Sequence, residues 1–164
     1  MILYLILLWT KYIYIMLLKY PENQNNYHSL KEAEMEQKEI TEKVIGCAFR
    51  VYNKMGFGYL ESVYEKCMHV ELNKIGLKFE SQQPITVYYD DELVGEFIAD
   101  LVIEDVLIVE LKSVKRILRA HETQLVNYLT STGKPVGLII NFGELKVDIK
   151  RKVKDLKNMD LQDK

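Results

Sequence analysis

The chain runs to 164 residues, 48% of them hydrophobic, and its 22 Lys and Arg nearly balance 24 Asp and Glu. This suits one packed domain with appendages, and the formal charge of −2 decides nothing about partners, because local clustering matters more than the sum. The two cysteines, Cys47 and Cys67, sit on the apolar faces of helical patterns and argue against a disulfide framework. No CxxC or Cys/His cluster points to zinc, and His28, His69 and His121 are scattered.

The opening stretch, MILYLILLWTKYIYIMLLKY, does not match the rest. As a membrane span it is borderline, since about 20 apolar residues are needed and a mid-span lysine such as Lys11 costs roughly 2.5–3.5 kcal/mol. As a signal peptide it lacks the basic start and the small-residue cleavage site. A third reading starts translation at Met35, with residues 1–34 as upstream read-through, and is preferred to a membrane anchor. PENQNNYHSL (21–30) reads as a polar, structureless joint. The expected division is therefore an extension over 1–34, a domain over 35–152 and a charged tail over 153–164.

From Glu36 the pattern turns regular. Ile40, Val44, Ile45, Ala48, Phe49, Val51, Tyr52 and Met55 recur at helical spacing before Gly56. After FGY, a second helix carries Leu60, Val63, Tyr64, Cys67, Met68, Leu72 and Ile75 on one face and ends at Gly76. Strands rich in Val, Ile, Tyr and Phe are expected at about 84–89, 93–103 and 106–112, with turns at Asp90-Asp91 and Glu104-Asp105. RAHETQLVNYLTSTG predicts a helix over about 118–132. PVGLIINF (135–142) has the continuous apolar run of a strand buried on both faces. A last strand follows at about 144–150. The order α-α-β-β-β-α-β-β predicts an α/β domain with a mixed sheet.

Within FIADLVIEDVLIVELKSVKR (97–116), three charges interrupt two apolar strands. Glu110 and Lys112 are two apart and project from one strand face, and Asp100 lies on the preceding strand. Two carboxylates about 5 Å apart repel by roughly 3 kcal/mol at an effective dielectric near 20. A divalent cation relieves this, and Mg²⁺ takes one or two carboxylates with further oxygens, to which the backbone carbonyl of Leu111 can add one. Lys112 can orient an attacking water or offset charge building on a phosphate. The alternative is that all three line a solvated face, but VLIVELK is too apolar for a simple alternating exposed strand.

Register supplies a condition. If only Glu104 and Asp105 form the turn, Asp100 falls opposite Val109 and points away from Glu110. A shared face needs an odd-numbered loop or a bulge, and a three-residue loop would place positive φ on Val106, which a β-branched residue resists. A bulge, a splayed end near Asp100 or a longer loop is therefore expected. A regular two-residue hairpin would count against the site.

GYLESVY (58–64) fits Gly-x-x-Glu-x-x-Tyr through Gly58, Glu61 and Tyr64. With IADLVIEDVLIVELKS downstream, it resembles the GxxExxY family of small bacterial proteins, placed in the PD-(D/E)XK nuclease superfamily. The resemblance covers about residues 36–150. It implies a restriction-endonuclease-like αβββαβ core, here with one extra N-terminal helix and one extra C-terminal strand. It further implies that Asp100 is the strand-two aspartate, that Glu110 and Lys112 are the (D/E)-x-K, that Glu61 adds an acid to the metal site and that Gln124 lies at its edge. Ala99 stands where the motif's name has proline.

Each residue has a plainer alternative. Glu61 can be an acid favouring its helix's first turn; Tyr64 and Gly58 read better as core packing and backbone geometry than as ligand contacts. Tyr128, one helical turn from Gln124 on the same face, is the weaker candidate for the site edge, and His121 reads as solvated. Basic residues follow the motif directly (Lys115, Arg116, Arg119) and mark the C-terminal strand and tail. Lys115 and Arg116 are the candidates for phosphate contact. The combined expectation is a Mg²⁺- or Mn²⁺-dependent cytoplasmic nuclease acting on nucleic acid, DNA ahead of RNA, with no small-molecule cofactor. A catalytically silent module that binds nucleic acid or a protein partner is the competing class.

Overall fold

The computed structural model describes residues 21–154, with side chains from residue 29 onward. In chain order it has α1 (Pro21–Met55), α2 (Glu61–Lys74), β1 (Phe79–Tyr89), β2 (Glu92–Ile103), β3 (Leu107–Lys112), α3 (Arg119–Thr132), β4 (Val136–Phe142) and β5 (Val147–Val153). The α/β order expected from the sequence is the order found. One expectation fails at the start: residues 21–30 are helical and belong to α1. Pro21 suits the first position of a helix, and the Glu-, Lys- and Gln-rich residues 31–38 carry the helix of 40–55 back toward it, in place of the structureless joint expected there. The chain divides into two units, Met1–Glu39 and Ile40–Lys164. Among the described residues no helix is long and apolar enough to cross a membrane; the apolar stretch 1–20 and the tail beyond 154 lie outside them.

The five strands lie in sequence order β1-β2-β3-β4-β5. β3 and β4 pair in parallel and the other neighbours antiparallel, so α3 is the crossover that a parallel pair requires. β1 and β5 are edges. Pro84 is accommodated in β1 because an edge strand can forgo one ladder donor.

Helices cover both faces of the centre. On one face, Val44, Val51, Tyr64, Met68 and Leu72 pack on Leu101, Val109, Leu111 and Leu138. On the other, Leu125, Tyr128 and Leu129 of α3 pack on Ala99, Val102, Ile108 and Ile139. β4 is buried along its whole length and β3 up to Leu111, which explains why PVGLIINF and VLIVEL are nearly continuous apolar runs. Alternation then puts Glu110 and Lys112 on the α3 face with Ile108. Gly137 lets α3 approach: an added Cβ would stand 2.7 Å from Leu125 Cδ1 and 2.9 Å from its Cγ.

Glu71 of α2 is buried and accepts from Lys74 Nζ (2.8 Å), Arg50 Nε (2.7 Å) and Lys54 Nζ (3.0 Å). The hydrogen bonds from Lys74, then Arg50 and Lys54, hold its carboxyl at about 2. A carboxyl lowered on folding contributes stability that is fully present above its ordinary value of 4.5 and lost as pH falls through about 2. Glu71→Gln should be less stable than wild type near neutrality, with the gap in urea midpoint closing as pH falls toward 2. Gly137→Ala should lower stability by roughly 1–3 kcal/mol through overpacking against Leu125, read as a reduced denaturation midpoint with unchanged slope.

Candidate active site

The β2–β3 hairpin meets the register condition by an odd loop. Ile103 pairs with Leu107, Val102 with Ile108 and Leu101 with Val109, so Glu104, Asp105 and Val106 form a three-residue loop and the next position sets Asp100 opposite Glu110. The steric objection to such a loop fell on the wrong residue. Positive φ is carried by Glu104 (49°) and Asp105 (60°), not by Val106, whose N–H donates to Ile103 O at 3.1 Å. An aspartate visits this region readily.

At Asp100 the strand loses its neighbours on both sides. Pairing with β3 ends at Leu101, and the Asp100 carboxylate takes the Leu111 N–H instead, at 2.7 Å. On the β1 side, Ser81 pairs with Leu101 and Gln83 with Ala99, but Gln82 between them has φ 53° and is left out of the β1–β2 pairing. Ala99 and Val102 consequently both reach the α3 face, although they are three apart. The splayed end expected near Asp100 is present together with the odd loop.

Glu110 is 3% exposed. Its Oε2 accepts from Lys112 Nζ at 3.2 Å, and its Oε1 is buried with no hydrogen-bond partner. Burial, then the charge of Asp100, pushes its pKa up to about 7, against the pull of Lys112. Burial also raises Asp100, while the Leu111 N–H and the Lys112 charge oppose it. For Lys112 burial disfavours the ammonium, but Glu110, Asp100 and Glu61 outweigh it and raise the pKa. The three charges from 97–116 are thus one coupled, mostly buried group.

Glu61, in the first turn of α2, is exposed, and its Oε1 accepts the Ser113 N–H at 3.2 Å. Ser113 Oγ donates to Tyr59 O at 2.7 Å, so the segment before α2 is tied to the end of β3 twice. Tyr64 is fully buried, stacks on Phe142 at 4.1 Å and donates its hydroxyl to Gly56 O at 2.8 Å. Gly58 has φ 101°, a backbone state that L side chains rarely adopt. Core packing for Tyr64 and a backbone role for Gly58 are the readings the geometry supports.

Four contributions escaped the sequence reading. Glu65, one turn after Glu61, adds to the acidic field at Asp100 and accepts from Gln82 Nε2 at 2.9 Å; its i+4 spacing was the available signal. Asn141, buried at the end of β4, clasps Val114 with both amide atoms, accepting its N–H and donating to its carbonyl at 2.9 Å each. A polar residue ending an apolar run could have marked it. Tyr128 is buried and accepts from Gln124 Nε2 at 2.5 Å. Burial raises its hydroxyl pKa against the Gln124 bond, and it feels the charges of Glu110, Lys112 and Asp100. Gln124 and Tyr128 are therefore partners beside the site. His121, expected to be merely solvated, accepts the Leu118 N–H at 3.3 Å and caps α3. Lys115 and Arg116 are exposed on the loop after β3.

Among the described residues no group of three or more His, Cys, Asp or Glu side chains converges to hold a metal ion. Glu61 is turned onto Ser113, which leaves Asp100 and Glu110 as the close carboxylate pair. Two carboxylates suffice for Mg²⁺, which completes its shell with other oxygens. The unpartnered Glu110 Oε1 in a buried setting is the atom such a cation would satisfy.

A family model described as the PD-(D/E)XK nuclease superfamily matches residues 38–152. It does not single out the GxxExxY family. No curated protein matches the chain. Among solved structures, "Crystal structure of SSO0001" is similar at 14% identity and a TM-score of 0.47, over 57% of this chain and 49% of that one. The chain thus spans about half of that protein.

Asn141→Ala should leave both polar groups of Val114 unpaired. It should cost about 1–3 kcal/mol and accelerate hydrogen exchange at the Val114 amide, with the β4–β5 amides less affected.

Proposed function

Because this chain belongs to the PD-(D/E)XK nuclease superfamily, we propose that it is a metal-dependent nuclease that hydrolyses phosphodiester bonds in nucleic acid, DNA ahead of RNA, using Mg²⁺ or Mn²⁺. The observation that carries this reading is the buried Asp100–Glu110 pair with one orphaned carboxylate oxygen beside an ammonium. Structural ion pairs satisfy their oxygens; this one leaves an acceptor vacant at the C-terminal end of a parallel strand.

Asp100, Glu110 and the Leu111 carbonyl would hold the cation, with Glu61 assisting from α2. A divalent cation there would supply Lewis acidity and neutralise the approaching phosphate. Lys112, kept charged by its neighbours, orients the attacking water and offsets charge on the phosphate as it builds. Asp100 also fixes the strand end through Leu111, so position and charge come from one side chain. No covalent intermediate is required. Gln124 borders the site, and Lys115 and Arg116 contact flanking phosphates. In this reading residues 35–152 are the nuclease domain, acting in the cytoplasm, with 1–34 and 153–164 outside it.

The orientation of Glu61 onto Ser113 favours a second reading, a catalytically silent module that binds nucleic acid or a protein partner. One pair of measurements separates them. Calorimetry should show Mg²⁺ or Mn²⁺ binding that disappears in Glu110→Gln. Asp100→Asn and Lys112→Ala should each lower metal-dependent cleavage by at least ~100-fold while the circular dichroism spectrum is retained. Unchanged cleavage in either variant refutes the assignment, and absence of metal binding selects the silent module.

A further inference from the structure

Beside the carboxylates lies a cleft of about 360 Å³, lined by Phe97 of β2 and by Ala120, Thr123, Gln124, Asn127 and Tyr128 of α3. Its size falls in the ~300–1,000 Å³ range of small-ligand sites. The five α3 residues recur at i, i+3, i+4, i+7 and i+8, so they form one helical face, and Phe97 is the opposite wall. Phe97 is 42% exposed and stands 5.5 Å from the Tyr128 ring, tilted by 48°. An aromatic wall left half open on a mostly apolar cleft offers a flat group a stacking surface.

Polar groups at the same place narrow what that group is. The Gln124 amide nitrogen is committed to Tyr128 O, which leaves its carbonyl oxygen to accept. Thr123 and Asn127, one turn apart, are exposed at the rim and add a hydroxyl and a full amide. A flat π-system with a donor and acceptor edge is what a nucleobase presents, and amide side chains match such edges. The Tyr128 hydroxyl feels the charges of Glu110, Lys112 and Asp100, so the cleft adjoins the atoms assigned to phosphodiester cleavage.

We propose that the Phe97–Gln124–Tyr128 cleft is a nucleobase subsite that receives one unstacked base next to the scissile phosphate. This rests on the nuclease reading and deepens it, because a base can enter the cleft only when free of its duplex. The substrate is then single-stranded or locally unpaired, since flipping a paired base adds the cost of unstacking and unpairing.

The test uses the full chain and an end-labelled short single-stranded DNA, with binding read by fluorescence anisotropy in the presence of a chelator, where cleavage does not intervene. Wild type should bind the single strand at least ~10-fold more tightly than the same sequence in a duplex. An abasic nucleotide placed at successive positions should remove that preference at one position. Phe97→Ala should remove it everywhere, as should Ala120→Trp, which fills the cleft from an exposed position. Equal affinity for single strand and duplex, indifference to abasic substitution at every position, or single-strand binding unchanged in both variants would overturn the subsite. Cleavage with Mg²⁺ is assayed separately. Cleavage that persists while Phe97→Ala binds like wild type keeps the nuclease reading and rejects the subsite. Base-dependent binding without cleavage does the reverse.

Discussion

The hydrogen bond from the Leu111 N–H to the Asp100 carboxylate is the contact on which the site depends. A β-ladder would give that N–H to a backbone carbonyl of β2. Here a side chain takes it, and the two strands part. The exchange removes one regular ladder position and gains a carboxylate held beside Glu110 in surroundings that disfavour its charge. A charge-assisted bond of this kind is roughly twice as strong as a neutral one, so the strand end remains fixed although its pairing has stopped. Gln82 absorbs the matching defect on β1 with a positive φ and is tied to α2 through Glu65.

The GYLESVY stretch gains a physical meaning from this arrangement. Its tyrosine anchors the segment before α2 from inside the core, its glycine supplies a backbone turn that other residues resist, and its glutamate caps the N–H that follows Lys112. Three residue types with different chemistries thus serve one end: they hold the start of α2 against the end of β3. Asn141 does the same from β4, through Val114. Both clasps fall on consecutive residues, Ser113 and Val114, just before Lys115 and Arg116, so the segment leaving the site is fixed at its origin by two elements.

The fold was legible wherever periodicity and local stop signals agree. Helical spacing marked α2 and α3, alternation and turn pairs marked the hairpins, and the apolar runs marked β3 and β4. The polar stretch 21–30 was misread because low hydrophobicity was taken for absence of structure, whereas helix propensity does not require an apolar face. Within the site, Glu110 and Lys112 could be paired because they share a strand. Asp100 could be joined to them only on a condition of register, and the loop met it by a route judged unfavourable for Val106. Spacing could flag Glu65 one turn after Glu61, and Asn141 at the end of an apolar run, but not their partners Gln82 and Val114, because these contacts cross elements whose approach no sequence spacing encodes. Gly137 shows the same limit: nothing in PVGLIINF says that a leucine of α3 fills the place of its missing side chain.

The two faces of the sheet divide the work, and that division explains why the charges can be buried at all. The face under α1 and α2 is an apolar core in which Tyr64 stacks on Phe142. The α3 face carries fewer apolar residues and accepts Glu110, Lys112 and the Tyr128 hydroxyl. Since β3 is clamped by pairing to β4 along its length, displacing Glu110 toward water would require moving the centre of the sheet. Its backbone is therefore fixed beside Asp100, and its Oε1 is buried without a hydrogen-bond partner. Rigidity of the central strand, more than the number of acids nearby, is what keeps Glu110 buried beside Asp100 and Lys112.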